Sequence, residues 1–262
     1  MSLVATDAVV LHAFDYLESS RVLRLATRAH GVQSVLAKGA RRSQKRFGGA
    51  VDLFAEGQAQ YYAKAGRDLH TLASFDVTRA RFALAADLER FAAGAAIAEL
   101  VLRFARDEDQ PAWFETLVHA LDDVAAAQPA DARAAGIAGA WRVVGALGFS
   151  PSLDDCASCH DPIAAERPAR FSHPAGGALC DRCGRIAGVG RVLPADARAA
   201  LRGWLAPEGA DVASPALDGA SARAHQRLLR EFLREHLSDG RPLRAFESWE
   251  STRFGAPAGD TP

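Results

Sequence analysis

Two groups of side chains in this 262-residue chain have types and spacings that could do chemistry. The first is Cys156-Ala-Ser-Cys159, followed after 20 residues by Cys180-Asp-Arg-Cys183. Two residues between paired cysteines let a tight turn aim both thiolates at one ion, and two such pairs complete a tetrahedron. Four thiolates leave zinc no open position for water, so the expected cofactor is one structural zinc held by Cys156, Cys159, Cys180 and Cys183. His160 or His173 replacing a cysteine is an alternative ligand set. A redox CxxC is another reading, but that motif belongs at a helix start in a βαβ unit, a context not evident here. The intervening HDPIAAERPARFSHPAGGAL is short and rich in Pro and Gly, so metal would supply its folding energy.

The second group is a run of cations, KGARRSQKR, containing Lys38, Arg41, Arg42, Lys45 and Arg46. No Asp or Glu occurs between Glu18 and Asp52, while Arg21, Arg24 and Arg28 bring the cations in that gap to eight. The formal net charge of −1 hides this asymmetry: residues 1–80 carry 11 Lys and Arg against 7 acids, and residues 81–150 carry 6 against 10. Cations uncompensated along the chain repel one another unless an anion neutralises them. A nucleic acid suits this need, because each neutralised phosphate also releases condensed counterions. The plain alternative is a solvated basic loop.

Several function classes lack their signatures. There is no G-x-x-x-x-G-K-[ST] phosphate loop and no H-x-E…P-C-x-x-C deaminase pattern. The start, MSLVATDAVVLHAFDY, lacks the basic region and cleavage site of a signal peptide, and no run approaches the roughly 18 apolar residues of a membrane span. The expected location is the cytosol, where cysteines serve as ligands or thiols rather than disulfides.

The elements that must position these groups are legible in outline. Ala8–Phe14, Val22–Thr27, Val32–Ala37, Val51–Lys64 and Leu69–Val77 read as five strands with glycine-bearing turns, a bulge being allowed at Gly57. The expected fold is a five-stranded oligonucleotide/oligosaccharide-binding (OB) β-barrel over residues 1–79, with Phe47, Phe54, Tyr61 and Tyr62 as candidate stacking aromatics. From Ala80 the period becomes helical: one long helix to Arg106, a second over Trp113–Ala127 and a third over Asp131–Leu147 ending at Gly148. This bundle, residues 80–150, is expected to hold no charge in its apolar stripes, and its acids Asp107, Glu108, Asp109, Asp122 and Asp123 would repel DNA. A zinc module follows at 151–190. Helices at 191–246, including Pro194–Leu205 and Ala220–Leu237, complete the helical domain, and 247–262 reads as a disordered tail. On the last helix Arg223, Arg227, Arg230 and Arg234 share one face, either extending the basic surface or forming an ion-paired helix face. The chain is thus read as an α+β multidomain protein.

In this order the parts resemble the bacterial RecO family of recombination mediator and DNA repair proteins. The residues that carry the resemblance are YLESSRVLRLATRAHGVQSVLAKGARRSQKRFGG (Tyr16–Gly49), GFSPSLDDCASC (Gly148–Cys159) and FSHPAGGALCDRC (Phe171–Cys183). The resemblance extends to about Arg244, with a looser C-terminal HLSDGRPLRAF. It implies an N-terminal OB barrel, a helical domain with zinc held between helices, and binding to single- and double-stranded DNA. It also implies annealing of complementary strands, with the protein RecR and single-strand-binding protein as partners in loading recombinase on gaps. Lys38, Arg41, Arg42, Lys45 and Arg46 match the family's DNA-contacting region, Arg21 and Arg24 lie on the flanking strand, and the four cysteines match its zinc positions. No enzymatic activity is implied. An OB-type RNA-binding protein, a zinc hydrolase with an open metal position, and a zinc-stabilised adaptor are the competing classes.

Overall fold

A computed structural model describes residues 2–40, 52–105, 112–188, 190–206, 217–237 and 240–251. Five strands, β1 (Ser2–Tyr16), β2 (Ser20–Thr27), β3 (Gly31–Ala37), β4 (Glu56–Ala63) and β5 (Leu69–Arg79), close into a barrel in the order β1-β2-β3-β5-β4. The 15-residue β1 closes it by serving two neighbours. Its first half pairs with β4 and its second half with β2, with a register irregularity between Val10 and His12 where the strand bends. β3 and β5 pair in parallel, so the connection from Lys38 to Ala55 crosses between β3 and β4. A register break does occur at Gly57, but the extra residue, Thr78, is on β5. β4 is shorter than the expected Val51–Lys64: it begins at Glu56, because Phe54 takes a positive φ of 67° and turns the chain.

The first part of the run AVVLHAF, Ala8–Leu11, is continuously apolar because the strand is covered on both faces there. Ala8 and Val10 point into the barrel with Leu23, Leu25, Val35 and Phe75, while Val9 and Leu11 join Ala26 and Phe54 in the helical core. That core is built by α1 (Phe82–Ala86), α2 (Leu88–Phe104), α3 (Trp113–Ala126), α4 (Ala132–Ala146), α6 (Ala195–Leu205), α7 (Gly219–His236) and α8 (Arg244–Ser251), with a short α5 (Asp181–Ala187) in the cysteine module. The single long helix expected after Ala80 is broken at Asp87, whose extended backbone and carboxylate cap α2 by accepting from the Arg90 amide at 2.9 Å. Small residues set the helix spacing. A Cβ at Gly136 would stand 2.6 Å from Ala93 Cβ and 2.9 Å from the Trp249 ring.

Two expectations about this half are overturned. Residues 247–251 are not tail: they form most of α8, and its Phe246 and Trp249 are fully buried. Their i, i+3 spacing was the overlooked signal. Nor is the bundle free of internal charge. Glu89 on α2 is buried, and its carboxylate accepts two bonds from Arg133 on α4 (3.0 and 2.9 Å) and one from Trp249 Nε1 (2.7 Å). A buried carboxylate is tolerable only when its lone pairs are so occupied. Residues 252–262, the rest of the expected tail, lie outside the described residues.

A second ionic knot joins barrel to bundle. Arg81, with a side chain 2% exposed, donates to Glu56 of β4 (2.7 Å), Asp122 of α3 (2.7 Å) and the Phe54 carbonyl (3.0 Å). Asp122 also bonds Arg79, and Asp123 bonds Arg142. These acids are therefore not the unengaged repelling charges that the sequence suggested; Asp107, Glu108 and Asp109 lie outside the described residues. Phe54 enters the same junction, its ring edge-on to Phe91 at 5.9 Å.

On α7 the expected stripe of Leu228, Leu229, Phe232, Leu233 and Leu237 is buried, together with His225. The His225 ring packs edge-on to Trp204 at 4.8 Å, and neither of its nitrogens has a partner among the described residues. Burial lowers its pKa to about 4, against a small opposing pull from Asp196. The unfolded imidazole takes its proton near pH 6.5 and the folded one only near 4. Stability is thus complete above about pH 6.5 and falls as pH drops through that window, by about 3 kcal/mol in all. His225→Leu should flatten this part of the urea-denaturation profile between pH 6.5 and 4; an unchanged pH dependence would contradict the assignment.

Candidate nucleic-acid interface and metal centre

The four cysteines are brought together by a small antiparallel sheet, β7-β6-β8 (Gly177–Leu179, Ala169–Ser172 and Arg191–Leu193). The first pair sits on a turn closed by Cys156 N–H donating to Asp161 O (2.8 Å) and His160 N–H donating to Cys156 O (2.9 Å), with His160 at a φ of 62°. Ala157 N–H donates to Ala178 O at 2.8 Å and so pins this turn to β7. Gly177 is required there, since a Cβ would stand 2.3 Å from Ser152 O. β7 then delivers Cys180 to the N-cap of α5, with Cys183 in its first turn. The second CxxC does therefore stand at a helix start, contrary to expectation. Its surroundings are an antiparallel three-stranded sheet, not the βαβ unit of redox proteins.

All four Sγ atoms lie within 4.8 Å of one another, and Cys159 and Cys180 are 3.7 Å apart. A tetrahedral ion with bonds of about 2.3 Å to sulfur needs S···S separations of about 3.8 Å, whereas a disulfide needs about 2 Å. The geometry is that of ligands around one ion, and all four thiols are free. Burial pushes Cys156 up, but backbone amides of Cys180, Cys159 and Ser158 outweigh it and hold the thiol down at about 6. At Cys159 a backbone amide at Asp161 favours the thiolate. Burial, the Asp161 carboxylate and the neighbouring sulfurs prevail over it and push the thiol up to about 12. Sulfurs so crowded cannot all ionise unless a cation sits among them. His160 and His173 are not part of the cluster. His173 faces α7 instead, 3.6 Å from Glu231, with its carbonyl 2.7 Å from His236 Nε2.

The basic group is only partly placed. Lys38 is exposed on the turn after β3, next to Gly39 at a φ of 72°. Arg41, Arg42, Lys45 and Arg46 lie outside the described residues, as does Phe47. Two of the three flanking arginines, Arg21 and Arg28, are compensated by acids from beyond the acid-free gap. Arg21 lies directly opposite Asp15 in the β1–β2 ladder and bonds it at 3.1 Å. Arg28 bonds Asp7 at 3.0 Å, pairs with Glu115, and stacks 4.9 Å over the Phe114 ring. Arg24 reaches α2, donating to the Leu102 carbonyl at 3.4 Å. Of the described candidate stacking aromatics, Phe54 and Tyr61 are buried, Tyr61 stacked on His70 at 5.5 Å, and Tyr62 is exposed. On α7, Arg230 bonds Glu250 at 3.0 Å, while Arg223, Arg227 and Arg234 are exposed.

Comparison with known proteins bears on both groups. Residues 1–81 match the family model "Recombination protein O N terminal", and residues 85–245 match "Recombination protein O C terminal". The chain is 41% identical over 250 residues to the DNA repair protein RecO of Anaeromyxobacter sp. strain K, covering 94% of this chain and 95% of that one. It is 34% identical to the RecO of Geobacter sulfurreducens over 83% of this chain and 90% of that one. With the RecO of Streptomyces griseus it shares 32% over 94% of this chain and the whole of the other. Both family models meet at the junction that Arg81 ties, and the similarity runs through the barrel, the bundle and the cysteine module alike: the chain belongs to the RecO family.

Proposed function

We propose that this protein is a non-enzymatic DNA-binding mediator of DNA repair and homologous recombination. In this reading it binds single- and double-stranded DNA, anneals complementary strands, and helps load recombinase on gaps covered by single-strand-binding protein, with RecR as a second partner. The barrel is read as an OB fold, residues 1–79. Residues 80–150 and 191–251 form the helical domain, and residues 151–190 form a module built on one structural zinc. No described helix is long and apolar enough to cross a membrane, and the proposed place of action is the cytoplasm, at the nucleoid.

The observation that carries this reading is the β3–β4 crossover of the closed barrel. In a chain of the RecO family, that crossover holds Lys38, Arg41, Arg42, Lys45 and Arg46 with no acid before Asp52. Annealing then needs no nucleotide hydrolysis: cations screen two phosphate backbones from each other, and base pairing supplies the driving force. Arg21 and Arg24 are secondary contacts in this scheme, since each already has a partner. A closed four-thiolate site fits a folding role for zinc and offers no water to activate.

The test is annealing of two labelled complementary strands without ATP. The wild-type chain should accelerate pairing, and a variant with Arg41, Arg42, Lys45 and Arg46 all changed to alanine should lose the acceleration with its thermal midpoint retained. On single strands, about five phosphate contacts would give a slope of log K against log salt near −3.5. A slope near zero, or acceleration unaffected by the substitutions, would sink the proposal.

A further inference from the structure

The second half of β1 carries a feature that the basic crossover does not account for. His12, Phe14 and Tyr16 alternate along the strand and so project from one face of it, and all three are exposed, Phe14 at 45% and Tyr16 at 43%. That face is the outside of the barrel, because the intervening Ala13 packs toward its interior. Rings of this size usually find cover in a small barrel. Here the His12 and Phe14 rings stand 5.7 Å apart, tilted by 49°, and both residues are exposed.

The barrel's register places this row beside the start of the basic run. Tyr16 opposes Ser20 on β2, and the β2–β3 ladder ends at Arg21 opposite Ala37, so Lys38 leaves the ladder next to that pair. The exposed Lys38 therefore begins its turn two strands from Tyr16, about 10 Å away at 4.8 Å per strand. Four more cations follow Lys38 within eight residues of sequence. Of the nearby acids, Asp15 points to the other face and is bonded by Arg21, and Glu18 in the hairpin turn is engaged in a contact of its own.

We infer that Phe14 and Tyr16 form a stacking ladder for the bases of single-stranded DNA, which Lys38 flanks on the phosphate side. This rests on the DNA-binding reading above and adds to it the residues that distinguish single strands from duplex. Rings two residues apart on a strand are about 6.8 Å apart, twice the 3.4 Å repeat of a strand within a duplex. Only an unstacked single strand can place successive bases at that separation, and every base offers a face to stack, so the ladder reads strandedness rather than sequence. An annealing protein gains from such a surface because it lets go of the product: once paired, the bases are inside the duplex and the rings lose their ligand.

The experiment uses the full-length chain, fluorescence anisotropy with labelled oligo(dT) and with a labelled duplex, and a salt titration of each. Phe14→Ala/Tyr16→Ala should weaken oligo(dT) binding by about 100-fold, tenfold per base at the lower part of the stacking range, while leaving duplex affinity unchanged. The salt slope should stay at the wild-type value, since no phosphate contact is lost. Phe14→Trp/Tyr16→Trp should restore single-strand affinity, which a merely structural role would not require. An unchanged oligo(dT) affinity, as expected if these rings instead meet a protein, or an equal loss on duplex, would overturn the ladder while leaving the DNA-binding reading intact. Failure of the wild-type chain to bind either nucleic acid would overturn that reading and the ladder with it.

Discussion

Cys156→Ser should reduce the zinc bound per chain from one to none measurable and lower the thermal midpoint by about 10 °C or more. Structural zinc supplies roughly 10–16 kcal/mol of apparent binding free energy at neutral pH, all of it folding energy where the site does not exist unfolded. Even a fraction of that is large, because a domain of this size shifts by about 2–4 °C per kcal/mol. The damage should not stay local: Leu153 and Phe171 of the module are buried in the same core as Trp141 and Phe232 of the helical domain. His160→Ala is the contrasting variant and should keep its metal, since His160 is not among the clustered groups. Acid should mimic the cysteine substitution. Protons compete with the ion for the four thiolates, so bound zinc should fall as pH is lowered. Full zinc stoichiometry and an unchanged melt for Cys156→Ser would refute the four-thiolate centre.

Glu89→Ala should cost about 3–5 kcal/mol in denaturant unfolding. The lost carboxylate accepts from Arg133 twice and from Trp249, so its removal strands a guanidinium whose side chain is only 16% exposed. It also frees α8, whose docking against α2 and α4 centres on Trp249, and part of the loss should appear as a change in tryptophan emission before global unfolding. Glu89→Gln, which retains the shape and an acceptor, should cost less. Arg142→Ala removes a more exposed pair and should cost no more than about 1 kcal/mol. A loss below about 1 kcal/mol for Glu89→Ala would mean that α8 is held by packing alone.

What could be foreseen, and what could not, follows from the range over which each signal acts. Strand and helix periods are local, so β2, β3, β5, α3 and α7 lie where alternation and amphipathic spacing put them. Breaks that depend on one residue's backbone were missed: the turn at Phe54, and the stop at Asp87 that ends α1 and caps α2. The helix at Arg244–Ser251 is hard to read locally because its buried pair, Phe246 and Trp249, spans a single turn and the chain beyond it is rich in Gly and Pro.

The sequence by itself determined the four-cysteine cluster and the barrel-then-helices order, because a CxxC pair is a turn-sized unit and hydrophobic period is read over a few residues. It also determined that positive charge is concentrated between Glu18 and Asp52. Only the tertiary structure decided which of that charge is spoken for. Asp15 and Asp7 reach Arg21 and Arg28 across the β1–β2 hairpin, Glu115 arrives from α3, and Glu89 meets Arg133 and Trp249 from three separate helices. Coulombic and hydrogen-bond partners are set by distance in space, and linear spacing carries no record of which distant residues the packed core brings within 3 Å.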